Sequence, residues 1–286
     1  MPTTIPTTTS STRPGSPSAG DAYFETDTKN YIIYDGANWR GYVSDGVAGV
    51  SNSFSGSFDG SNDYVDCGSI SSMSGVSAQT LSVWFKPAVA GEIPNIGWWS
   101  SSTTSYGWSS SGSIQTFNAK NGVNESFDVA SSVPNDMEWH NYVAVFDGGS
   151  VAIYIDGSSV LTGTASNTTL ATSPATFRIG QFGTVSLYEA GLYDEISLWD
   201  AALDSSDVLA LYNNGTPIDL SSAAGGYDKQ ADLTHWWRIG DHASDTGSGG
   251  SPANGDTISN VENAANSGTN DGTGTNGPTF STSVPS

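Results

Sequence analysis

The stretch Gly191-Leu-Tyr-Asp-Glu-Ile-Ser-Leu-Trp199 sets a carboxylate inside an otherwise apolar strand pattern. Side chains alternate faces along a strand, so strict alternation puts Leu192, Asp194, Ile196 and Leu198 on one side and Tyr193, Glu195, Ser197 and Trp199 on the other. A carboxylate on an apolar face needs hydrogen-bond donors or a cation, because an unpaired buried charge is too costly to keep. Asp194 is therefore either a structural residue satisfied by backbone amides or a metal ligand. A second group lies in Asn95-Ile-Gly-Trp-Trp-Ser100 and Ser105-Tyr-Gly-Trp108, where Trp98, Trp99, Tyr106 and Trp108 sit among glycine and serine. Aromatic faces in loops stack on sugar rings beside polar groups, which makes these four the candidate glycan-binding residues. The alternative is that they pack into a core or a subunit interface.

Catalysis finds less support. A retaining glycosidase needs two carboxyls about 5 Å apart. Asp194 and Glu195, as strand neighbours, point to opposite faces, and Glu189 lies too far along the chain to replace either. His140, His235 and His242 are the only histidines, and none falls in a metal-protease or nucleophile-elbow motif. His140 reads as a strand residue beside Trp139. No catalytic residue is assigned, and the chain reads as a binding or structural protein rather than an enzyme.

Composition narrows the partners. Eight Lys and Arg face 29 Asp and Glu among 286 residues, a formal charge of −21, which repels phosphate backbones and anionic membranes. Nucleic acid is not expected as a partner, whereas the carboxylates make divalent-cation sites easy to assemble. Cys67 is the only cysteine, so no intramolecular disulfide is possible, and it reads as a small buried residue sharing a strand face with Val65. The first residues carry no basic segment with an apolar core, and no run approaches about 18 apolar residues, so neither a secretory signal nor membrane insertion is expected. A β-rich protein of this kind would leave its cell by lysis, by a dedicated secretion system or inside an assembled particle.

The elements that must position these residues are short strands between Gly, Ser, Asn and Asp clusters. Residues 1–20 form a Thr/Ser/Pro/Gly arm that alone should be extended or disordered. Residues 21–50 read as a small β-meander, with strands at Ala22–Thr26, Tyr31–Tyr34 and Trp39–Val43. Residues 51–222 carry strands at Ser53–Phe58, Asp63–Cys67, Thr80–Lys86, His140–Asp147, Val151–Asp156, Phe177–Gly180 and Ala190–Trp199, and regular short strands with tight turns imply an all-β, two-sheet antiparallel sandwich. A short helix follows, with Asp204 or Ser205 as its cap and Asn213-Asn214-Gly215 as a left-handed stop. Residues 223–286 hold one strand in Leu233-Thr-His-Trp-Trp-Arg-Ile-Gly-Asp241 and another near Asp256–Val261, completing the sandwich or packing on a neighbour.

Two resemblances add to this reading. Phe58-Asp-Gly-Ser-Asn-Asp-Tyr-Val65, Leu81-Ser-Val-Trp-Phe-Lys86, Trp139-His-Asn-Tyr-Val-Ala-Val-Phe146, Val151-Ala-Ile-Tyr-Ile-Asp-Gly157, Phe177-Arg-Ile-Gly180 and the Asp194 strand with its helix occur in order. This series resembles the laminin-G-like, concanavalin A-like jelly-roll superfamily. The resemblance implies a jelly-roll sandwich, a carbohydrate ligand and a calcium ion held by Asp194, with Asp59 and Asp63 as partners from the opposing loop. In related domains a strand like Leu233–Asp241, followed by Asp/Asn-Gly-Thr, opens the sandwich, whereas here it comes last with Asn270-Asp-Gly-Thr273 behind it. The segment from Gly20-Asp-Ala-Tyr23 to Tyr34-Asp-Gly-Ala-Asn-Trp39 is similar to a short module near the N-termini of tailed-bacteriophage virion proteins. That resemblance implies a virion surface structural protein, of capsid fibre, decoration or tail fibre type. Residues 1–43 would anchor it to other virion proteins, it would form a homo-oligomer, with a trimer suiting a fibre, and the sandwich would attach to glycans. A bacterial glycan-binding adhesin is the alternative, followed by a polysaccharide-degrading enzyme.

Overall fold

The computed structural model describes residues 7–9, 12, 14–18, 21–25, 30–34 and 39–43, and then 50–286 apart from 102–103, 111–113, 121–122, 171–175, 184–185, 224, 243–244, 246–256 and 259–270. The chain divides into two compact units, residues 1–50 and 51–286. In the first, β1 (Thr7–Thr8), β2 (Ala22–Glu25), β3 (Asn30–Tyr34) and β4 (Trp39–Val43) form one sheet in chain order. The meander β2-β3-β4 is antiparallel, and the turns expected within 26–29 and 35–38 lie outside the described residues. The described part of the arm includes an extended segment that is paired with the meander. Thr7 and Thr8 pair in parallel with Phe24 and Glu25, and Thr12 turns back to donate its amide to the Thr9 carbonyl at 3.0 Å. β-branched threonines suit a strand, and the free edge of β2 offers them backbone partners.

The second unit is a mostly β sandwich of two antiparallel sheets. Its strands are β5 (Ser55–Asp59), β6 (Tyr64–Ser69), β7 (Ala78–Pro87), β8 (Ile96–Ser101), β9 (Thr104–Ser110), β10 (Ile114–Lys120), β11 (Val123–Asp128), β12 (His140–Asp147), β13 (Ser150–Ile155), β14 (Ser158–Thr164), β15 (Thr176–Ile179) and β16 (Ala190–Trp199). After the helix α1 (Ser205–Tyr212) come β17 (Leu233–Trp237), β18 (Thr257–Ile258), β19 (Gly272–Thr275) and β20 (Thr279–Ser281). One sheet runs β14-β13-β12-β7-β16-β5-β20, with β17 also on β16; the other runs β11-β10-β9-β8-β15-β6-β19-β18. β5 pairs with the first half of β16 and β17 with the second half. The C-terminal strands therefore enter both sheets.

Alternation fills the space between the sheets. Leu81, Val83 and Phe85 of β7, Tyr142, Ala144 and Phe146 of β12, and Val65 and Cys67 of β6 all point into one buried core. Asp156 and Gly157, at φ +51° and +72°, make the left-handed pair that a two-residue hairpin turn requires between β13 and β14. Residues 96–128 are a difference from the sequence expectation. No strand is expected between Lys86 and His140, yet β8 to β11 form a meander there. Gly97, Gly107 and Ser109 alternate with Trp98, Tyr106 and Trp108, and such small residues weaken the signal that announces a strand.

On the outer face of the first sheet lies the segment containing α1. Asp204 is the cap: its Oδ1 accepts from the Ser206 and Asp207 amides at 2.8 and 2.9 Å, and Asp207 Oδ2 accepts from the Asp204 amide at 3.1 Å. The helix ends at Asn213, whose φ is +41°. Thr80 Oγ1 donates to the Ala201 carbonyl and accepts from the Leu203 amide, and Tyr212 stacks on Trp84 with ring centroids 5.9 Å apart. This cover shapes the environment of β16.

Candidate functional site

The aromatic set divides between core and undescribed side chains. Trp98, Tyr106 and Trp108 are 1%, 4% and 0% exposed. Trp98 packs on Tyr106 and Phe177 at 5.3 and 6.2 Å, and Trp108 meets Tyr142 edge-on at 5.6 Å. Tyr106 donates its hydroxyl to the Ala144 carbonyl of the facing sheet at 3.2 Å, and burial pushes its phenol pKa up. These three residues hold the sheets together and present no stacking surface to solvent. The Trp99 side chain lies outside the described residues.

β16 does not alternate strictly. Asp194 pairs with Trp84 and Ser197 with Ser82, so β16 carries one residue more than β7 between these pairs. The extra residue is a β-bulge with Glu195 at φ +48°, a conformation that costs a non-glycine residue on the order of 1–2 kcal/mol. Tyr193, Ile196 and Leu198 consequently share the core, and Asp194 faces the other way, beside Trp84. The face assigned to Asp194 by strict alternation is corrected by this bulge. So is the opposition of Asp194 and Glu195, whose charges now act on each other.

Both carboxyls are buried, Asp194 fully and Glu195 to 4% exposure. Glu195 is well supplied: Oε2 accepts from Trp236 Nε1 at 2.5 Å and Oε1 from Arg238 Nε at 3.2 Å. Arg238 also donates to the Ser51 carbonyl at 2.6 Å and lies 5.2 Å from the Trp236 ring centre. Burial still lifts Glu195 to about 7 against the pull of Arg238. Asp194 is poorer. Its Oδ1 accepts from the Glu195 amide at 2.8 Å, while Oδ2 has no hydrogen-bond partner. Burial, then the Glu195 charge, pushes its pKa well up; the neighbouring Asn52 amide is close enough to pull it back down, though outside hydrogen-bond geometry, and both its polar atoms are otherwise unpartnered. A buried carboxylate oxygen and an amide oxygen without partners match the donor chemistry of a hard cation.

Asp59 and Asp63 are not brought to that point. Asp59 lies opposite Ala190 on β16, four residues before Asp194, or roughly 13 Å along a strand. Both serve their own turn: Asp59 Oδ1 accepts from the Ser61 amide at 2.7 Å, and Asp63 Oδ2 from the Asp59 amide at 3.2 Å. Among the described residues no three His, Cys, Asp or Glu side chains gather as a metal set.

The outer face of the second sheet carries a cluster that sequence reasoning missed. Val65 and Cys67 of β6 and Phe177 and Ile179 of β15 point inward, so Tyr64, Asp66 and Arg178 point outward. Arg178 donates Nε and Nη2 to Asp66 Oδ2 at 3.2 and 3.0 Å, and Nη1 to Gln181 Oε1 and the Gly183 carbonyl at 2.7 and 3.2 Å. Its guanidinium lies 4.3 Å from the centre of the Tyr64 ring, and Tyr188 stands 6.5 Å from Tyr64. All four residues of this patch are half-buried. The cross-strand row continues to Gly97 and Gly107 on one side and Thr273 on the other. At each of these glycines a Cβ would lie within 2.2 Å of a carbonyl oxygen, so the row must be bare there. The alternation Tyr64-Val65-Asp66-Cys67 was the available signal. On the opposite outer face, a groove of about 400 Å³ between Val145, Ala152 and Thr162 and the segment Ala202–Asp204 has neither an aromatic nor a basic side chain in its lining.

With this geometry in hand, comparison with known proteins is direct. The family described as the concanavalin A-like lectin/glucanases superfamily matches residues 59–209, more than half of the chain. A Bacteroides ovatus protein to which carbohydrate binding has been ascribed superposes with a TM-score of 0.51 at 15% identity, covering 94% of this chain and 71% of that one. The heptameric SAP-like pentraxin of Limulus polyphemus gives 0.43 at 17% identity over 56% of this chain and 82% of its own. The CBM40 of the Ruminococcus gnavus IT-sialidase gives 0.44 at 12% identity over 55% and 96%. At these identities the likeness is one of fold. No curated protein matches the chain.

Proposed function

The chain belongs to the concanavalin A-like lectin/glucanase superfamily, and from that premise we propose that it is a carbohydrate-binding, lectin-like protein whose glycan surface is the Tyr64–Asp66–Arg178–Tyr188 patch. The observation that carries this reading is the patch itself: two half-exposed phenol rings beside an arginine and a carboxylate held in fixed register. Rings supply the face for sugar C–H groups, and the fixed polar atoms supply direction. Binding is favoured over glycan cleavage because Asp194 and Glu195 are sealed behind the α1 segment and leave no room for a sugar. The charge of −21 favours neutral glycans.

The setting proposed is a tailed-phage virion surface. Support comes from the resemblance of residues 20–43 to an N-terminal virion module and from the separate compact unit they occupy. Residues 1–43 would contact other virion proteins and the copies would form a homo-oligomer, a trimer in a fibre. Weak single-site contacts then gain avidity from the array. Calcium is proposed at Asp194 with the Asn52 amide oxygen, where it would neutralise an otherwise unpaired buried carboxylate.

A glycan array probed with the full chain and with its Tyr64→Ala and Tyr188→Ala variants tests the binding reading. Binding of neutral glycans that both variants lose supports it, whereas binding that neither variant changes removes the patch as the site. Antibody labelling of purified particles tests the setting: label on head or tail supports a virion component, and label confined to cell surfaces moves the assignment to a bacterial adhesin.

A further inference from the structure

His140, at the start of β12, touches a carboxylate with each ring nitrogen. Nδ1 lies 2.6 Å from Asp156 Oδ2 and Nε2 lies 2.9 Å from Asp136 Oδ1. An ionised carboxylate only accepts hydrogen bonds, and a neutral imidazole has a single N–H to donate. Both contacts can be hydrogen bonds only when the ring is the imidazolium. We propose that His140 is a proton-operated clamp that fastens the loop before β12 and the β13–β14 turn to the sheet while protonated, and lets go of one of them when neutral.

What the clamp holds reaches beyond its own loop. Asp156 completes a reciprocal tie to β12: its Oδ1 accepts from the Asn141 amide at 2.9 Å, and its amide donates to the Asn141 carbonyl at 2.9 Å. Gly157, next in the turn, lies under α1, where a Cβ would sit 3.0 Å from Leu209 Cδ1 and 3.3 Å from Tyr212 Cβ. Tyr212 in turn stacks on Trp84, the cross-strand partner of Asp194. Opening the turn therefore loosens the end of the helix that covers β16.

The charged surroundings favour the clamped form. Burial disfavours the imidazolium, but its hydrogen bonds to Asp156 and Asp136 and the charges of these carboxylates outweigh it, leaving the His140 pKa raised. His140, in return, is the largest cause of the lowered Asp136 pKa, with Lys86 adding to it. Lys86 is itself paired with Glu138 at 3.3 Å. Tyr142 stands edge-on at 6.4 Å and, like Tyr212, has its phenol pKa raised mainly by burial, so neither ring contributes a charge at neutral pH. A raised histidine pKa gives stability that is complete below its unfolded value near 6.5 and lost as pH rises through the folded value. A lowered aspartate pKa gives stability lost only as pH falls through that lower value. The clamp is closed between the two and opens on the alkaline side.

The test is nitrogen-15 NMR of the three histidines in the full chain, titrated with pH, alongside the Asp136→Asn and Asp156→Asn variants. The expected result is a His140 ring that carries protons on both nitrogens at pH 6 and titrates above 6.5. Each variant should shift that midpoint down while His235 and His242 stay in place. Amide exchange at Asn141 and Asp156 should then quicken several-fold above the wild-type midpoint. A midpoint at or below 6.5, or a midpoint unmoved in Asp136→Asn, overturns the proposal. Asp136 is 49% exposed, so that variant folds and decides the question even if Asp156→Asn does not.

Discussion

Two clusters on opposite outer faces of the sandwich are built from the same parts. Glu195 of β16 with Trp236 of β17 and Arg238 just after it, and Asp66 and Tyr64 of β6 with Arg178 of β15, each join a carboxylate to a guanidinium lying over an aromatic ring. Their difference is exposure. The side chains of Glu195 and Arg238 are 3% and 14% accessible, against 31% and 16% for Asp66 and Arg178. Residue types therefore do not separate a structural tie from a ligand surface. Solvent access does, and here it follows from which face the α1 segment covers.

The contrast can be broken most forcefully at the two arginines. Arg238→Ala leaves Glu195 buried without its cation and is expected to cost about 3–5 kcal/mol in denaturant unfolding. Arg178→Ala should cost on the order of 1 kcal/mol, because Asp66 keeps its access to water. Equal losses would show that both clusters are structural. A similar division applies to the rings: Trp108→Ala should lose about 3–5 kcal/mol as a core cavity, whereas Tyr188→Ala should leave the unfolding midpoint nearly unchanged.

Proton and calcium dependence sharpen the comparison. Glu195 sits at about 7 and Asp194 is also raised, so both give stability present below their unfolded values and lost as pH rises through the folded ones. Metal-free protein should lose thermal stability between pH 5 and pH 8. Millimolar calcium should restore much of it at pH 8, little at pH 5, and none in Asp194→Asn. A melting temperature indifferent to calcium at pH 8 would remove the cation from the account. A modest effect is expected at the edge of the cover, where Asp204→Ala loses the α1 cap at about 1 kcal/mol, measured by the same unfolding curves.

How far the sequence revealed this arrangement depends on the reach of each signal. The strands around Val83, Ala144 and Ile153 and the Asp204 cap were legible because alternation and capping are local patterns. The meander β8 to β11 was obscured by its serines and glycines, so the sequence left Trp98 and Trp108 open between a glycan-stacking loop and the core, where the structure places them. The bulge at β16 was illegible because Glu195, not glycine, takes the left-handed position. One such residue is enough to reverse the face assigned to Asp194. The Asp66–Arg178 pair spans 112 residues of sequence, and only the sheet order brings its members side by side.

The central claim is that the half-exposed patch, not the buried Trp98, Tyr106 and Trp108, is the glycan surface. Its most direct measurement is titration of the full chain with the strongest neutral glycan from an array, comparing wild type with Tyr64→Ala after both are shown to have the same unfolding midpoint. The account predicts at least a tenfold loss of affinity in Tyr64→Ala, about 1.4 kcal/mol. Unchanged affinity in a folded Tyr64→Ala protein would contradict it.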